Sequence, residues 1–277
     1  MGGPMAQHLA NAGLLSIVGN RSLQKVTDFV ATHEHIHGAS GPQDFSNCDV
    51  VILNVSLDSD VLQNVHALAE VLQPGSIVID HSTVSVQTAR DAAAHLAVKG
   101  IAFIDAPVSG GVEGSRNGKL SVMAGADADS LERVMPLLNT YAARVTHMGD
   151  VGSGQATKAV NQIMVAGINE AVCEALALGD ALQLDPSKLI PTLMGGAASN
   201  WFLDKRGATM LKEQFTPGFK NAHMLKDLRI VQGMAESLGL DLPTLRQAEA
   251  DYAELAESRS MPDADTSSLV MLKWGRR

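Results

Sequence analysis

The sequence predicts an α/β domain of the doubly wound kind over residues 1–150, joined to an all-α domain over residues 151–277. Three observations carry this. In the first half, short apolar runs alternate with stretches of helical length, and the runs are apolar on both faces, as in a parallel sheet covered by helices. After Gly149 no convincing strand pattern recurs. Between the halves lies a glycine-rich stretch, GDVGSG, at 149–154.

The elements follow in order. Residues 4–12 read as a helix with Pro4 in its first turn, where a missing N–H costs little. LSIVG (15–19) suits a short buried strand. Ser22 is placed to cap the next helix, which runs to about residue 32. DVVILNV (49–55) is a stronger strand, rich in β-branched residues. Residues 59–72 are helical, and Pro74-Gly75 stops them. SIVID (76–80) is a strand, 85–98 a helix and IAFID (101–105) a strand. Strands at 119–125 and 143–148 flank a helix at 127–138. In the second half one long helix covers 155–183 and Pro186 opens another. Helices at 201–213, 219–238 and 243–257 follow, with the turn Thr216-Pro217-Gly218 between two of them.

Composition removes several function classes. Acidic residues outnumber basic ones, 30 to 21, for a net charge of −9, which argues against a nucleic-acid partner. No apolar run approaches the roughly 20 residues of a membrane span, and the first residues lack the basic and apolar regions of a signal peptide. Cys48 and Cys173 form no CxxC pair and read as reduced thiols of a cytoplasmic protein. His33, His35 and His37 (HEHIH) would suit one face of a strand, but they lack a fourth ligand and read as a solvated loop, so no metal site is expected.

In a doubly wound sheet, ligands bind beyond the carboxyl ends of the strands. Here the strands exit into Asn20-Arg21-Ser22, Asn54-Val55-Ser56, Asp80-His81-Ser82-Thr83 and Asp105-Ala106-Pro107-Val108-Ser109-Gly110-Gly111. Four polar or glycine-rich exits in succession point to a ligand crevice. Ser109 with Gly110 and Gly111 can offer one anion a hydroxyl and several open N–H groups, although the same residues also suit a plain turn before a short helix. At the start of the long helix, Lys158, Asn161 and Gln162 stand at i, i+3 and i+4 and share a face. A lysine drawn partly out of water loses basicity, which suits proton exchange near neutral pH; the plain alternative is a solvated lysine near a helix start.

These motifs converge on a family. Through MGGPMAQHLANAG, VIDHSTVS, FIDAPVSGGVEGSRNGKLSVMAG, GSGQATKAVNQ and FTPGF…KDL, in that order, the chain resembles the β-hydroxyacid dehydrogenases. These include 3-hydroxyisobutyrate dehydrogenase, 2-hydroxy-3-oxopropionate (tartronate semialdehyde) reductase and the glyoxylate/succinic semialdehyde reductases. The resemblance implies a Rossmann-type domain, a long interdomain helix and an all-helical domain that forms homodimers or homotetramers. It implies that Lys158 is the catalytic lysine, exchanging a proton with the substrate oxygen as hydride moves. It places the carboxylate of a small acid substrate at Ser109, Gly110 and Gly111, and Phe219 and Asp227 at the closing of its pocket. Asn161 and Gln162 stand where the family carries two asparagines, so the second amide has a longer arm. Thr83 falls near the nicotinamide, Lys226 on the cofactor side, and Asn54 and Val55 at the exit beside the dinucleotide. An acid after the second strand would hold the 2′-OH of NAD; the sequence instead has Asn20, Arg21 and Ser22, which favours NADP, with NAD as the alternative.

These residues bear on two rival functions. Imine reductases resemble this family but generally lack the lysine that Lys158 supplies. A non-catalytic relative could dispense with both Lys158 and Ser109-Gly110-Gly111, yet both are present. Met1 and Gly2 match only the last two residues of the family's GxGxMG fingerprint, so the first strand and two glycines are expected to be missing. That loss would expose two strand edges and weaken cofactor binding, and an N-terminally extended chain is the one expected to be fully active.

Overall fold

The protein was analysed as a computed structural model, which describes residues 1–274. The chain divides into two compact units, Met1–Lys158 and the residues from Ala159 onward.

The first unit begins with α1 (Gly2–Asn11), β1 (Ile17–Val18), α2 (Leu23–Val30), β2 (His37–Gly38), a 3-10 turn at Pro42–Phe45 and β3 (Val50–Leu53). It continues through α3 (Asp58–Ala69), β4 (Ile77–Asp80), α4 (Val86–Ala97), β5 (Ala102–Asp105), β6 (Val108–Ser109) and α5 (Gly111–Arg116). It ends with β7 (Leu120–Gly125), α6 (Ala128–Leu138) and β8 (Ala142–Gly149). Strands β3, β4 and β5 are parallel, as expected. The rest of the sheet is not: β7 runs antiparallel to both β5 and β6, and only β8 is again parallel to its neighbour β7. The six-residue α5 is the only helix between β5 and β7, too short for the full crossover that parallel strands need.

Strands β1 and β2 form a separate parallel pair. β2 begins on His37, the last residue of HEHIH, where the sequence predicts a solvated loop; two residues give no periodicity to detect. Ile36 is the buried member of that stretch. The His33 ring stacks on Phe29, with centroids 4.5 Å apart. Among the described residues no three His, Cys, Asp or Glu side chains converge to hold a metal. The expected Ser22 cap is also corrected. Its hydroxyl makes no cap bond to α2; instead its own N–H donates to Asn20 Oδ1 at 2.9 Å. Ser85 and Asp127 do cap α4 and α6, accepting from the N–H groups of Thr88 and Ser130.

The alternation of β4 decides the layers. Ile77 and Ile79 join Ile104, Leu120, Val122, Leu138 and Tyr141 on one face of the sheet. Val78 faces the other way, with Phe103 and with Val61, Val65, Ala89 and Leu96 of α3 and α4. At roughly 1.5–3 kcal/mol for each large aliphatic side chain fully buried, both faces hold their helices.

The second unit is helical, as expected. α7 (Ser153–Ala181) starts in the first unit and continues beyond Lys158. It is followed by α8 (Pro186–Met194), α9 (Trp201–Met210), α10 (Asn221–Ser237) and α11 (Pro243–Ala253). A π turn at Glu254–Ser258, a 3-10 turn at Thr266–Leu269 and α12 (Val270–Lys273) close the described chain. The core gathers Cys173, Leu176, Met210, Met224, Leu228, Leu245, Tyr252 and Leu255. Lys273 reaches the carboxylates of Glu170 and Asp251 and ties α12 to α7 and α11.

α7 corrects one sequence expectation. By length and composition it could cross a membrane, the only such helix among the described residues; counting consecutive apolar residues missed it because polar residues interrupt the run. Half of its most apolar window is buried within the protein, and Gln162 and Asn169 are buried along it. That is the pattern of a core helix.

Candidate active site

The first unit holds most of the expected residues. Helix α1 opens on Met1, Gly2 and Gly3 beside the carboxyl end of β3. The Gly2 N–H donates to Asn54 Oδ1 at 3.2 Å, and a Cβ on Gly2 would meet that oxygen at 3.4 Å. A Cβ on Gly3 would meet nothing within 4 Å. A helix start that carries no side chains of its own at Gly2 and Gly3, its Gly2 N–H on the Asn54 amide oxygen, fits the pyrophosphate of a dinucleotide. Asn20, Arg21 and Ser22 are exposed at the exit of β1, where a ribose or its 2′-phosphate would need them. The exits of β3 and β4 are tied together: Val55 N–H donates to Ser82 Oγ at 2.9 Å, and Ser82 N–H donates to Asp80 Oδ1 at 2.9 Å. Thr83 follows, half-buried.

Ser109 ends β6 and Gly111 begins α5. Gly110 between them has a φ of 125°, a backbone that L side chains rarely adopt, and a Cβ there would stand 3.3 Å from Leu120. Lys158 is only 8% exposed, and its Nζ donates to the carbonyl oxygen of Val108 at 3.0 Å. The structure thus brings Lys158 to Val108, fifty residues earlier in the chain, on the strand that carries Ser109.

Several polar groups that sequence reading did not single out lie beneath this site. His81 is buried, with Nδ1 2.5 Å from the carbonyl oxygen of Ala106 and Nε2 2.8 Å from the Tyr141 hydroxyl. A carbonyl only accepts, so Nδ1 carries the proton and Nε2 receives the hydroxyl's. Burial brings the His81 pKa down to about 4, so the ring is neutral at physiological pH. The carboxylate of Asp105 accepts the N–H groups of Gly152 and Gln155 at 2.7 and 2.8 Å. The Gln155 side chain donates to the Ser82 carbonyl at 2.8 Å and accepts the Val84 N–H at 3.2 Å.

The second unit assembles the others. Asn161 Nδ2 donates to Gln162 Oε1 at 2.8 Å, Gln162 Nε2 donates to Asp227 Oδ2 at 2.7 Å, and Lys226 Nζ lies 2.9 Å from Asp227 Oδ1. A carboxylate only accepts, so Asp227 fixes which end of each amide points where. Gln162 and Asp227 are buried, and both ends of the Gln162 amide are engaged by the protein itself. Phe219 stands apart from this chain of bonds: its N–H donates to Asp265 Oδ2 at 3.2 Å in the loop before α10.

A helix start at the carboxyl end of β3, together with a buried lysine held on the strand that leads into a Ser-Gly-Gly turn, is the layout of a dinucleotide-dependent oxidoreductase. The comparisons agree. Residues 1–149 match the family model "NAD binding domain of 6-phosphogluconate dehydrogenase", and residues 152–273 match "NAD-binding of NADP-dependent 3-hydroxyisobutyrate dehydrogenase". An uncharacterized oxidoreductase of Shewanella frigidimarina is 37% identical over 98% of this chain and 94% of its own length. The 2-hydroxy-3-oxopropionate reductase of Escherichia coli is 35% identical over 87% of this chain and 76% of its own. The solved structure of Mycobacterium tuberculosis 3-hydroxyisobutyrate dehydrogenase with L-serine superposes with a TM-score of 0.87 at 28% identity, covering 98% of this chain and 95% of that one. The chain belongs to the β-hydroxyacid dehydrogenase family and is an NAD(P)-dependent oxidoreductase. An imine reductase from Pseudomonas, 15% identical with a TM-score of 0.63, shares the fold alone.

Proposed function

We propose that the protein interconverts a small semialdehyde or 2-oxo acid and its hydroxy acid, with Lys158 as general acid and base. The observation that carries this is the buried Lys158 ammonium held on the Val108 carbonyl, one residue before Ser109. NAD(P)H, when bound, supplies a hydride to the carbonyl carbon. Lys158 gives a proton to the carbonyl oxygen, and in the reverse direction takes it from the hydroxyl. The Ser109 hydroxyl and the Gly110 and Gly111 N–H groups hold the substrate carboxylate. In the second unit, the family resemblance supports Asn161, Gln162, Asp227 and Phe219 as further substrate residues. In the first unit, Gly2 with Met1, and Asn54, Val55 and Thr83, hold the dinucleotide; for Lys226 of the second unit a cofactor role is supported by the family resemblance. The names of the relatives limit the substrate to small acids. Tartronate semialdehyde, glyoxylate, succinic semialdehyde, methylmalonate semialdehyde and 3-hydroxypropionate, assayed with both cofactors, would identify it. An assay in which none of them turns over would overturn the reading.

NADP is the preferred cofactor on this reading, because Arg21 offers a guanidinium at the exit of β1 and no carboxylate competes there. A charge-assisted contact of about 1.5–3 kcal/mol corresponds to roughly 10–150-fold, so Arg21→Ser should lower kcat/KM for NADPH by that factor and leave NADH nearly unchanged. A wild-type preference for NADH would reverse the assignment. The family resemblance also supports a homodimer or homotetramer in the cytoplasm. Val160, Met164 and Ile168, exposed at successive turns of α7, give the apolar surface for it, and light scattering would read the mass.

A further inference from the structure

We propose that Asp105 is the positioning residue for Lys158: its carboxylate, fixed at the end of β5, grips the first turn of α7 and so sets where the lysine stands one turn further on. The proposal rests on the reading of Lys158 as proton donor, and its test separates the two.

The segment 105–108 touches α7 at two points. At one end, Asp105 Oδ1 accepts the Gly152 N–H at 2.7 Å and Oδ2 accepts the Gln155 N–H at 2.8 Å. At the other, the Val108 carbonyl receives Lys158 Nζ at 3.0 Å. The first N–H groups of a helix have no partner within it, and α7 satisfies one of them, that of Gln155, from another element rather than from a cap of its own. Asp105 is fully buried, so its position is fixed by the sheet. The glycines around it are there for close approach. A Cβ on Gly154 would lie 2.5 Å from the Asp105 and Met123 carbonyl oxygens and 2.8 Å from Asp105 Oδ2. A Cβ on Gly125 would fall inside van der Waals contact with Asp105 Oδ1. Of the glycines in GDVGSG, Gly154 is the one that lets the backbone close on the buried carboxylate; Gly149 and Gly152 instead hold φ of 128° and 97°, which L side chains rarely adopt. Burial raises the Asp105 pKa to about 6, against the pull of the two N–H donors, and Asp80 adds to the rise; at neutral pH the group is ionised and the grip is strongest.

Asp105→Asn keeps one acceptor oxygen and turns an NH2 toward a donor; Asp105→Ser keeps a single small acceptor. Trace labelling of lysines with acetic anhydride, read by mass spectrometry, reports on Lys158 directly, with Lys99 and Lys119 of the same unit as standards. In either variant, Lys158 labelling should rise at least about tenfold at constant Lys99 and Lys119 rates, and kcat should fall at least about tenfold, with KM for the dinucleotide within about threefold of wild type. Faster labelling with kcat unchanged would uphold the clamp and overturn Lys158 as proton donor. Wild-type labelling of Lys158 in both variants would overturn the clamp, whatever kcat does. If neither variant folds, hydrogen exchange on the wild-type protein decides: protected Gly152 and Gln155 amides support the clamp, and exchange at the rate of open chain refutes it.

Discussion

Lys158→Ala should lower kcat by between about a hundredfold and ten-thousandfold, the range expected when a positioned proton donor is removed. Dinucleotide affinity, followed by fluorescence, should change little, because Lys158 Nζ donates to the Val108 carbonyl, away from the start of α1 proposed to hold the pyrophosphate. Lys158→Arg is the sharper variant. A guanidinium keeps the charge but does not release a proton in the accessible pH range, and its planar fork cannot take the place of a compact ammonium in a site this buried. Arginine should therefore rescue substrate binding in part and turnover hardly at all. A loss of less than about tenfold in the alanine variant would show that water or another group delivers the proton.

In the sequence, Lys158 stands out for the helix face it shares with Asn161 and Gln162, and Ser109-Gly110-Gly111 for the hydroxyl and open N–H groups it can offer an anion. The parallel β3–β4–β5 core was legible for the same kind of reason: each strand is apolar on both faces. What stayed hidden has a common cause. Asp105 opens the DAPVSGG segment, but its partners are backbone N–H groups 47 and 50 residues later, which no side-chain pattern announces. His81 bonds a carbonyl 25 residues away and a hydroxyl 60 away. Gln162 shares a helix face with Lys158, yet only the fold reveals that its amide ends on Asp227, 65 residues on. The antiparallel turn at β7 was missed because the DAPVSGG segment looks like any loop before a helix, while its direction is set by the shortness of α5.

Two buried groups of this support should make opposing contributions to the pH profile of stability. The folded-state pKa of His81 is lowered from 6.5 to about 4 by burial. Between those values the unfolded chain binds a proton that the folded one refuses, so stability is complete above 6.5 and falls as the pH drops toward 4. The Asp105 pKa is raised from 3.8 to about 6, again chiefly by burial. There the folded chain keeps a proton that the unfolded one has lost, so stability is complete below 3.8 and falls as the pH rises toward 6. At 1.36 kcal/mol per pKa unit, each effect amounts to about 3 kcal/mol, with opposite sign and nearly the same window. Removing either group should expose the other. Relative to wild type, Asp105→Asn should lose about 3 kcal/mol of stability between pH 6 and pH 4, whereas His81→Gln should gain about 3 kcal/mol as pH falls from 6.5 to 4. Hydrogen exchange of the β4 and β5 core amides would measure both slopes in the first unit alone. The comparison is between slopes, so whatever either substitution costs at neutral pH drops out. Curves for the two variants that run parallel to wild type would mean that neither group carries the shift its burial implies.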